Sequence, residues 1–186
     1  MNLETERMSI AGQPKPENGK GFGGIFENGF YINYLHGLDF LCRKYVKSDT
    51  RILELGCFYG VSTELFCKYS QNITCVDIER YNYIDLLIEK YNINFINSDS
   101  IDFLKKLKYN SYDLIYIDTT HDHTRTKQEI LLSYNILDYG SIISGHDFNT
   151  PGVHNAIADT FSYPDIEIYL DSSWSIVKTK ELKLKI

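Results

Sequence analysis

The stretch Arg51-Ile-Leu-Glu-Leu-Gly-Cys-Phe-Tyr-Gly-Val-Ser-Thr63 decides the reading of this chain. It opens as an apolar strand that carries a carboxylate, Glu54, near its end. A tight loop follows, with glycines at Gly56 and Gly60, and then a helix start. A second apolar run, Ile73-Thr-Cys-Val-Asp-Ile78, ends near another acid, Asp77. Strand, glycine loop, helix and a strand-tip acid together make a site for a nucleoside. Glycine lets the backbone approach a ligand, and the acid accepts hydrogen bonds from ribose hydroxyls.

The spacing narrows the choice of nucleoside. A dinucleotide fold uses G-x-G-x-x-G, so that pyrophosphate sits on the helix N-terminus. Here Cys57, Phe58 and Tyr59 stand between Gly56 and Gly60. Bulky residues in place of the middle glycine crowd a pyrophosphate, which disfavours an NAD-dependent enzyme. The Glu54-x-Gly56 pattern resembles motif I of class I S-adenosylmethionine (SAM) methyltransferases. The resemblance implies a loop that cradles the amino-acid half of SAM. It also implies an acid that orients that half through water or backbone amines.

The chain has 186 residues, 43% of them apolar, which suits one domain with a real core. Its formal net charge is -6 and it has no long basic run. A nucleic-acid partner, whose phosphates need a basic surface, is therefore not expected. Cys42, Cys57, Cys67 and Cys75 form no C-x-x-C pair and read as reduced thiols of a cytoplasmic protein. No apolar run reaches the roughly 20 residues of a membrane span, so no membrane partner is expected. Met1 to Glu17 lacks the apolar centre of a signal peptide.

Residues 1–24 are punctuated by glycine and proline and read as a flexible N-terminal segment or a lid. Residues 25–186 read as a single domain. From Tyr31 to Val46, apolar residues recur at helical spacing. Strands then alternate with helices. Strands are expected at about 51–56, 73–78, 93–97, 112–118 and 141–145. Helices are expected at about 61–70, 81–91, 100–108, 124–138 and 153–161. Ile166 to Leu170 and Trp174 to Lys178 make a closing hairpin about Asp171-Ser-Ser173. The fold class is α/β: a Rossmann-like, doubly wound, mostly parallel seven-stranded sheet whose C-terminal hairpin brings in an antiparallel strand. In such sheets ligands bind beyond the carboxyl ends of the strands. Glu54, Asp77, Asp99, Asp118 and the His146-Asp147 pair all fall at such ends.

Two segments carry the chemistry: Tyr116-Ile-Asp118-Thr-Thr-His121-Asp-His123 and Ile143-Ser-Gly-His146-Asp147-Phe148. Adjacent strands bring their tips together. An oxygen-rich cluster suits Mg²⁺ or another divalent cation, and a loop histidine suits proton abstraction near neutral pH. Over residues 30–178 the ordered set resembles the metal-dependent small-molecule O-methyltransferases of the macrocin and cephalosporin pathways and their short relatives. The matching motifs are Ile117-Asp118-Thr-Thr-His121, Tyr139-Gly140-Ser-Ile-Ile-Ser-Gly145-His146-Asp147 and Pro151-Gly152-Val153. The resemblance implies Asp118 and Asp147 as metal ligands with His146 beside them, and His121 as the base. It implies a cofactor wall of Glu54, Gly56, Tyr59, Gly60, Ser62, Asp77, Asp99, Ser100 and Asp118.

Within that wall Asp77 takes the ribose hydroxyls, with Glu79 as fallback. Asp99 accepts from the adenine amino group. Ser100 has helix capping as its alternative role, and Ser62 has helix initiation. His123 reads as a solvated or helix-capping residue, and His36 and His154 as structural. Thr119 and Thr120 depart from the small Gly-x of the resembling loops. The implied activity is methylation of a hydroxyl on a small molecule, a sugar or a natural product. The short chain leaves little room for a cap over the substrate, so a second subunit of a homo-oligomer is a candidate for that wall. A non-catalytic module that holds SAM or another nucleoside is the alternative. A nucleic-acid methyltransferase is disfavoured by charge and because Asp118-Thr-Thr-His121 stands where N/D-P-P-Y/F would.

Overall fold

The structure, a computed structural model, describes residues 20–21, 24–27, 30–33, 35–162 and 165–185. Three short strands come first: β1 (Lys20–Gly21), β2 (Gly24–Glu27) and β3 (Phe30–Asn33). They form an antiparallel sheet of their own. The expected loose segment or lid over 1–24 lies outside the described residues apart from β1 and Gly24. The helix expected over Tyr31–Val46 is shorter. Phe30-Tyr-Ile-Asn33, rich in strand-favouring residues, pairs with Gly24–Glu27 instead. Helix α1 spans His36–Tyr45 and buries Leu38, Leu41 and Cys42. The Asp171 carboxylate accepts from the Leu38 amide at 2.9 Å and so satisfies one of the orphan donors of its first turn.

The main sheet then builds by alternation. Strand β4 (Arg51–Leu55) leads to α2 (Val61–Cys67), β5 (Asn72–Asp77) to α3 (Asn82–Tyr91), and β6 (Asn94–Asn97) to α4 (Ser100–Leu104). Strand β7 (Leu114–Ile117) leads to α5 (His123–Ile136), and β8 (Ile142–Gly145) to α6 (Pro151–Ala158). Strands β9 (Glu167–Ile168) and β10 (Trp174–Val177) close the chain. The order across the sheet is β6-β5-β4-β7-β8-β10-β9. Strands β4 to β8 run parallel, and β10 runs antiparallel to both neighbours. The doubly wound class and the antiparallel strand are as the alternation implied. No helix among the described residues is long and apolar enough to cross a membrane.

Period-two alternation sorts the strand residues between two cores. Ile52, Leu114 and Tyr116 face the layer that contains α1, α2 and α3. Leu53, Leu55, Ile115 and Ile117 face the layer of α4, α5 and α6, together with the fully buried Trp174. At the amino end, Arg51 clasps Asp113 through Nη2 at 2.6 Å and Nε at 3.0 Å, which sets β4 level with β7.

At the carboxyl end the same two strands meet through Gly56. Its φ is +81°, and a Cβ built there would lie 2.1 Å from the Asp118 carbonyl oxygen. Strand order reverses between β4 and β7, so this contact sits where a ligand crevice must open. Gly56→Ala is therefore expected to cost about 2 kcal/mol or more, the scale of a strained φ plus overpacking against backbone. Urea unfolding checks this, and a loss within experimental error would show that the loop can shift aside.

Candidate active site

Beyond the strand tips lies a cavity of about 670 Å³. One wall is the loop after β4. Phe58 has a positive φ of 45°, which turns its amide onto Asp77 Oδ2 at 2.9 Å. The other Asp77 oxygen accepts from the Glu79 amide at 3.1 Å. Asp77 thus lines the cavity and also anchors the glycine loop. The rings of Phe58, Tyr59 and Tyr81 form an aromatic rim, with centroids 4.3 to 4.8 Å apart. Ser62 lines the cavity as well, whereas Gly60 stands in the left-handed N-cap position of α2 and shapes the turn from outside.

Glu54 does not line the cavity. It is 0% exposed, beneath the loop, and accepts from the Ser62 and Thr63 hydroxyls and, at 3.5 Å, from the Cys75 thiol. Burial pushes its pKa up to about 7 against the lowering effect of those donors. Its contact with the start of α2 organises the loop from below.

The opposite wall carries Asp99 and Ser100. Asp99, not Ser100, caps α4, accepting from the amides of Ile101 at 2.9 Å and Asp102 at 3.1 Å. Its second oxygen is held by Arg125. Burial opposes its charge, but Arg125 and the helix amides outweigh that and hold its carboxyl below the ordinary range. Ser100 instead donates to Glu129 and accepts from Arg125 Nη2 at 2.8 Å. Arg125 and Glu129 are the two residues of this wall that sequence reasoning missed. The available signal was the buried stripe Thr126-Glu129-Ile130-Ser133-Ile136 on α5, in which a carboxylate takes a core position.

The third cluster joins the tips of β7 and β8. His121 Nε2 lies 2.8 Å from Asp147 Oδ2 and 3.4 Å from Asp118 Oδ1. One donor atom from each of Asp118, His121 and Asp147 falls within a 4.8 Å group. His121 and Asp147 both hold positive φ, 57° and 56°, which folds the two loops toward each other. Gly152 at the start of α6 packs against this turn, and a Cβ there would lie 2.0 Å from the His121 carbonyl oxygen. That close approach gives the Pro151-Gly152-Val153 motif its physical reason. His146 stands outside the three-residue group. Its Nδ1 is 3.5 Å from Asp147 Oδ2, and its carbonyl accepts from Trp174 Nε1 at 3.2 Å. His123 opens α5 and pairs with Asp159 at 3.0 Å, away from the cavity.

The charges of this cluster are interlocked. Asp118 and then Asp147 lift the His121 pKa to about 10, against a lesser effect of burial. His121, followed by His146, holds the Asp147 carboxyl well below the usual carboxylate range. Burial works against charging His146, yet Asp147, Asp118 and Asp171 together raise its pKa to about 9. A ring nitrogen committed between two carboxylates is an imidazolium at neutral pH, so this geometry does not favour His121 as a base. Two carboxylates and an imidazole with converging donors do fit an oxygen-preferring divalent cation with one nitrogen ligand.

Comparison with known proteins accords with this geometry. A family model described as a methyltransferase domain matches residues 53–148, just over half of the chain. The chain belongs to that family. Ribosomal RNA small subunit methyltransferase D of Buchnera aphidicola (subsp. Acyrthosiphon pisum, strain APS) is 29% identical over 100 residues. That match takes in 50% of this chain and 51% of the relative, so the chain spans about half the length of the curated protein it matches. Among solved structures, a Clostridium thermocellum protein named for rRNA methylation has a TM-score of 0.63 at 15% identity, covering 80% of this chain and 97% of that one. CalS11, a TDP-rhamnose 3'-O-methyltransferase of calicheamicin biosynthesis, has a TM-score of 0.58 at 16% identity, covering 77% of each chain. At those identities the structural likeness speaks for the fold alone.

The His121 pairing sets a pH dependence. A folded-state pKa raised from 6.5 to about 10 stabilises the native chain fully below pH 6.5, and the contribution is lost as pH rises through about 10. In chelator, the melting-temperature gap between the parent protein and His121→Gln is expected to be wide at pH 6 and to close by pH 10. A gap that stays constant across that range would show that His121 is not held between the carboxylates.

Proposed function

We propose that this chain methylates a hydroxyl of a small molecule, a sugar or a natural product, with a divalent cation held by Asp118, His121 and Asp147. The observation that carries the proposal is the convergence of those three side chains on the cavity, beside the glycine loop of the nucleoside wall. SAM, when bound, supplies a methyl group on an electrophilic sulfonium. A divalent cation at the three-residue group supplies Lewis acidity toward an acceptor oxygen.

The chain's own residues do the rest. The backbone at Gly56 and the carboxylate of Asp77 shape and polarise the donor side, with the Phe58, Tyr59 and Tyr81 rim lining it with aromatic surface. Asp118 stands at the junction of the donor and metal sides. His121 neutralises part of the charge of Asp118 and Asp147, so proton and cation compete for its Nε2. His146 keeps Asp147 oriented from its buried side. Catalysis in this arrangement comes mainly from positioning two reactants in line.

The curated relative favours a second reading, methylation of ribosomal RNA. The formal net charge of -6 and the Asp118-Thr-Thr-His121 segment weigh against it. Salt-dependent binding of ribosomal RNA fragments by the purified protein would favour that reading over the first.

Asp147→Asn is expected to lower cation-stimulated methyl transfer by about 100-fold, the scale of losing a group that stabilises a developing oxyanion. Affinity for the demethylated product S-adenosylhomocysteine should stay within about threefold, since Asp147 lies on the metal side. Assays with hydroxylated sugars and phenols, with Mg²⁺ and with chelator, read both. Full turnover in chelator would overturn the metal assignment.

A further inference from the structure

Glu129, like Glu54, is a carboxylate buried completely within the fold. It lies in α5, is 0% exposed, and yet carries a carboxylate. Burying an acid costs free energy unless it is fully hydrogen-bonded, and an apolar residue at the same point of the stripe would stabilise the helix packing more simply. Burial also pushes its pKa up against the lowering influence of its partners. A residue kept at such a cost needs a reason in what it touches.

It touches both walls of the cavity at once. Oε1 accepts from the Ser100 hydroxyl, and Oε2 accepts from the Thr119 hydroxyl at 2.8 Å. Arg125 Nε stands 3.5 Å from Oε1 as an ion pair and bridges onward through Nη2 to Asp99 and Ser100. Ser100 and Thr119 both line the cavity, and Glu129 does not. Ser100 belongs to the nucleoside side. Thr119 immediately follows Asp118 and precedes His121 by two residues on the metal side. Thr119 also stands where the resembling enzymes have glycine, which has no side chain to bond. The departure noted in the sequence therefore has a partner, and the partner is a buried acid.

We propose that Glu129 is a positioning residue for methyl transfer, whose carboxylate straps the nucleoside wall at Ser100 to the metal-side loop at Thr119. The proposal rests on the methyltransferase reading of the cavity. The strap fixes the distance between the part of the cavity that holds the methyl donor and the part that holds the acceptor. Thr119 gives the carboxylate a grip on the loop that a glycine would not, and Arg125 offsets its charge.

The test uses the full chain and S-adenosylhomocysteine as probe, with calorimetric affinity and melting temperature read for each variant. Thr119→Val keeps shape and removes the hydroxyl; Thr119→Ser keeps the hydroxyl. Thr119→Val is expected to weaken affinity about tenfold, the scale of one hydrogen bond to a charged group, and to lower the melting temperature as well, because it leaves an oxygen of a buried carboxylate unpaired. Thr119→Ser should restore affinity to within about threefold. Ser100→Ala combined with Thr119→Val should cost less than the sum of the two, because either loss releases the strap. Glu129→Gln, which keeps the shape and one acceptor oxygen, should fall between; should it fail to fold, the Thr119 pair still decides the matter. Unchanged affinity in Thr119→Val overturns the proposal, and so does an affinity loss that serine does not rescue. No binding by the parent protein overturns the methyltransferase reading itself, and this proposal with it.

Discussion

The rest of the site depends on the close approach of the Gly56 backbone to the carbonyl of Asp118. At the switch in strand order the loops after β4 and β7 part in opposite directions, and this contact is where they still touch. The stitching extends on both sides. The Gly56 amide donates to Val76 at 2.8 Å, and the Asp118 amide donates to Leu55 at 2.8 Å. Three strand tips are thereby held in one plane. The loops after β4 and β7 share this close approach, so their relative placement is a property of the sheet rather than of the loops.

Gathering acids at one edge of a sheet creates repulsion that each carboxylate must resolve locally, and each does so differently. Asp77 is held by backbone amides. Glu54 is held by hydroxyls and a thiol. Asp99 has Arg125 and a helix N-terminus, and Glu129 has two hydroxyls beside the same arginine. These are fixed partners that come with the fold. Asp118 and Asp147 are compensated instead by imidazole: His121 pairs with both, and His146 adds to Asp147. A partner that can change its charge can be exchanged for another cation, and this sets that pair apart from the structural acids around it.

Much of this was legible in the sequence because the central strands are buried on both faces and so read as apolar runs broken only by Glu54 and Thr74. Ile52 to Leu55, Ile73 to Val76 and Leu114 to Ile117 needed no long-range information. The acidic tips followed from the strand ends. What failed did so for identifiable reasons. Phe30-Tyr-Ile-Asn33 satisfies both a helical period and a strand preference, and pairing with Gly24–Glu27 decided between them. The spacing from Asp118 to His121 says nothing of the left-handed turn at His121 that folds the ring back onto two carboxylates. Asp99 and Ser100 are neighbours, and only the path of the backbone shows which of them faces α4 and which faces Glu129. Glu129 falls on the buried stripe of α5, but Thr126 and Ser133 share that stripe, so its period is too weakly apolar to mark the acid as buried.

The glycine at the start of α6 carries a consequence for how this site comes apart. Gly152 rests directly on the His121 carbonyl, while Val153, Ala156 and Ile157 of the same helix are embedded in the core beneath α5. The loop after β7 is therefore clamped to an element that is itself embedded in the core. Many binding loops fray on their own, at a small fraction of the global unfolding free energy. Here disassembly of the site is bound to the cooperative unit formed by α5 and α6, so the chain tends to be either fully assembled or without a site, with few states between.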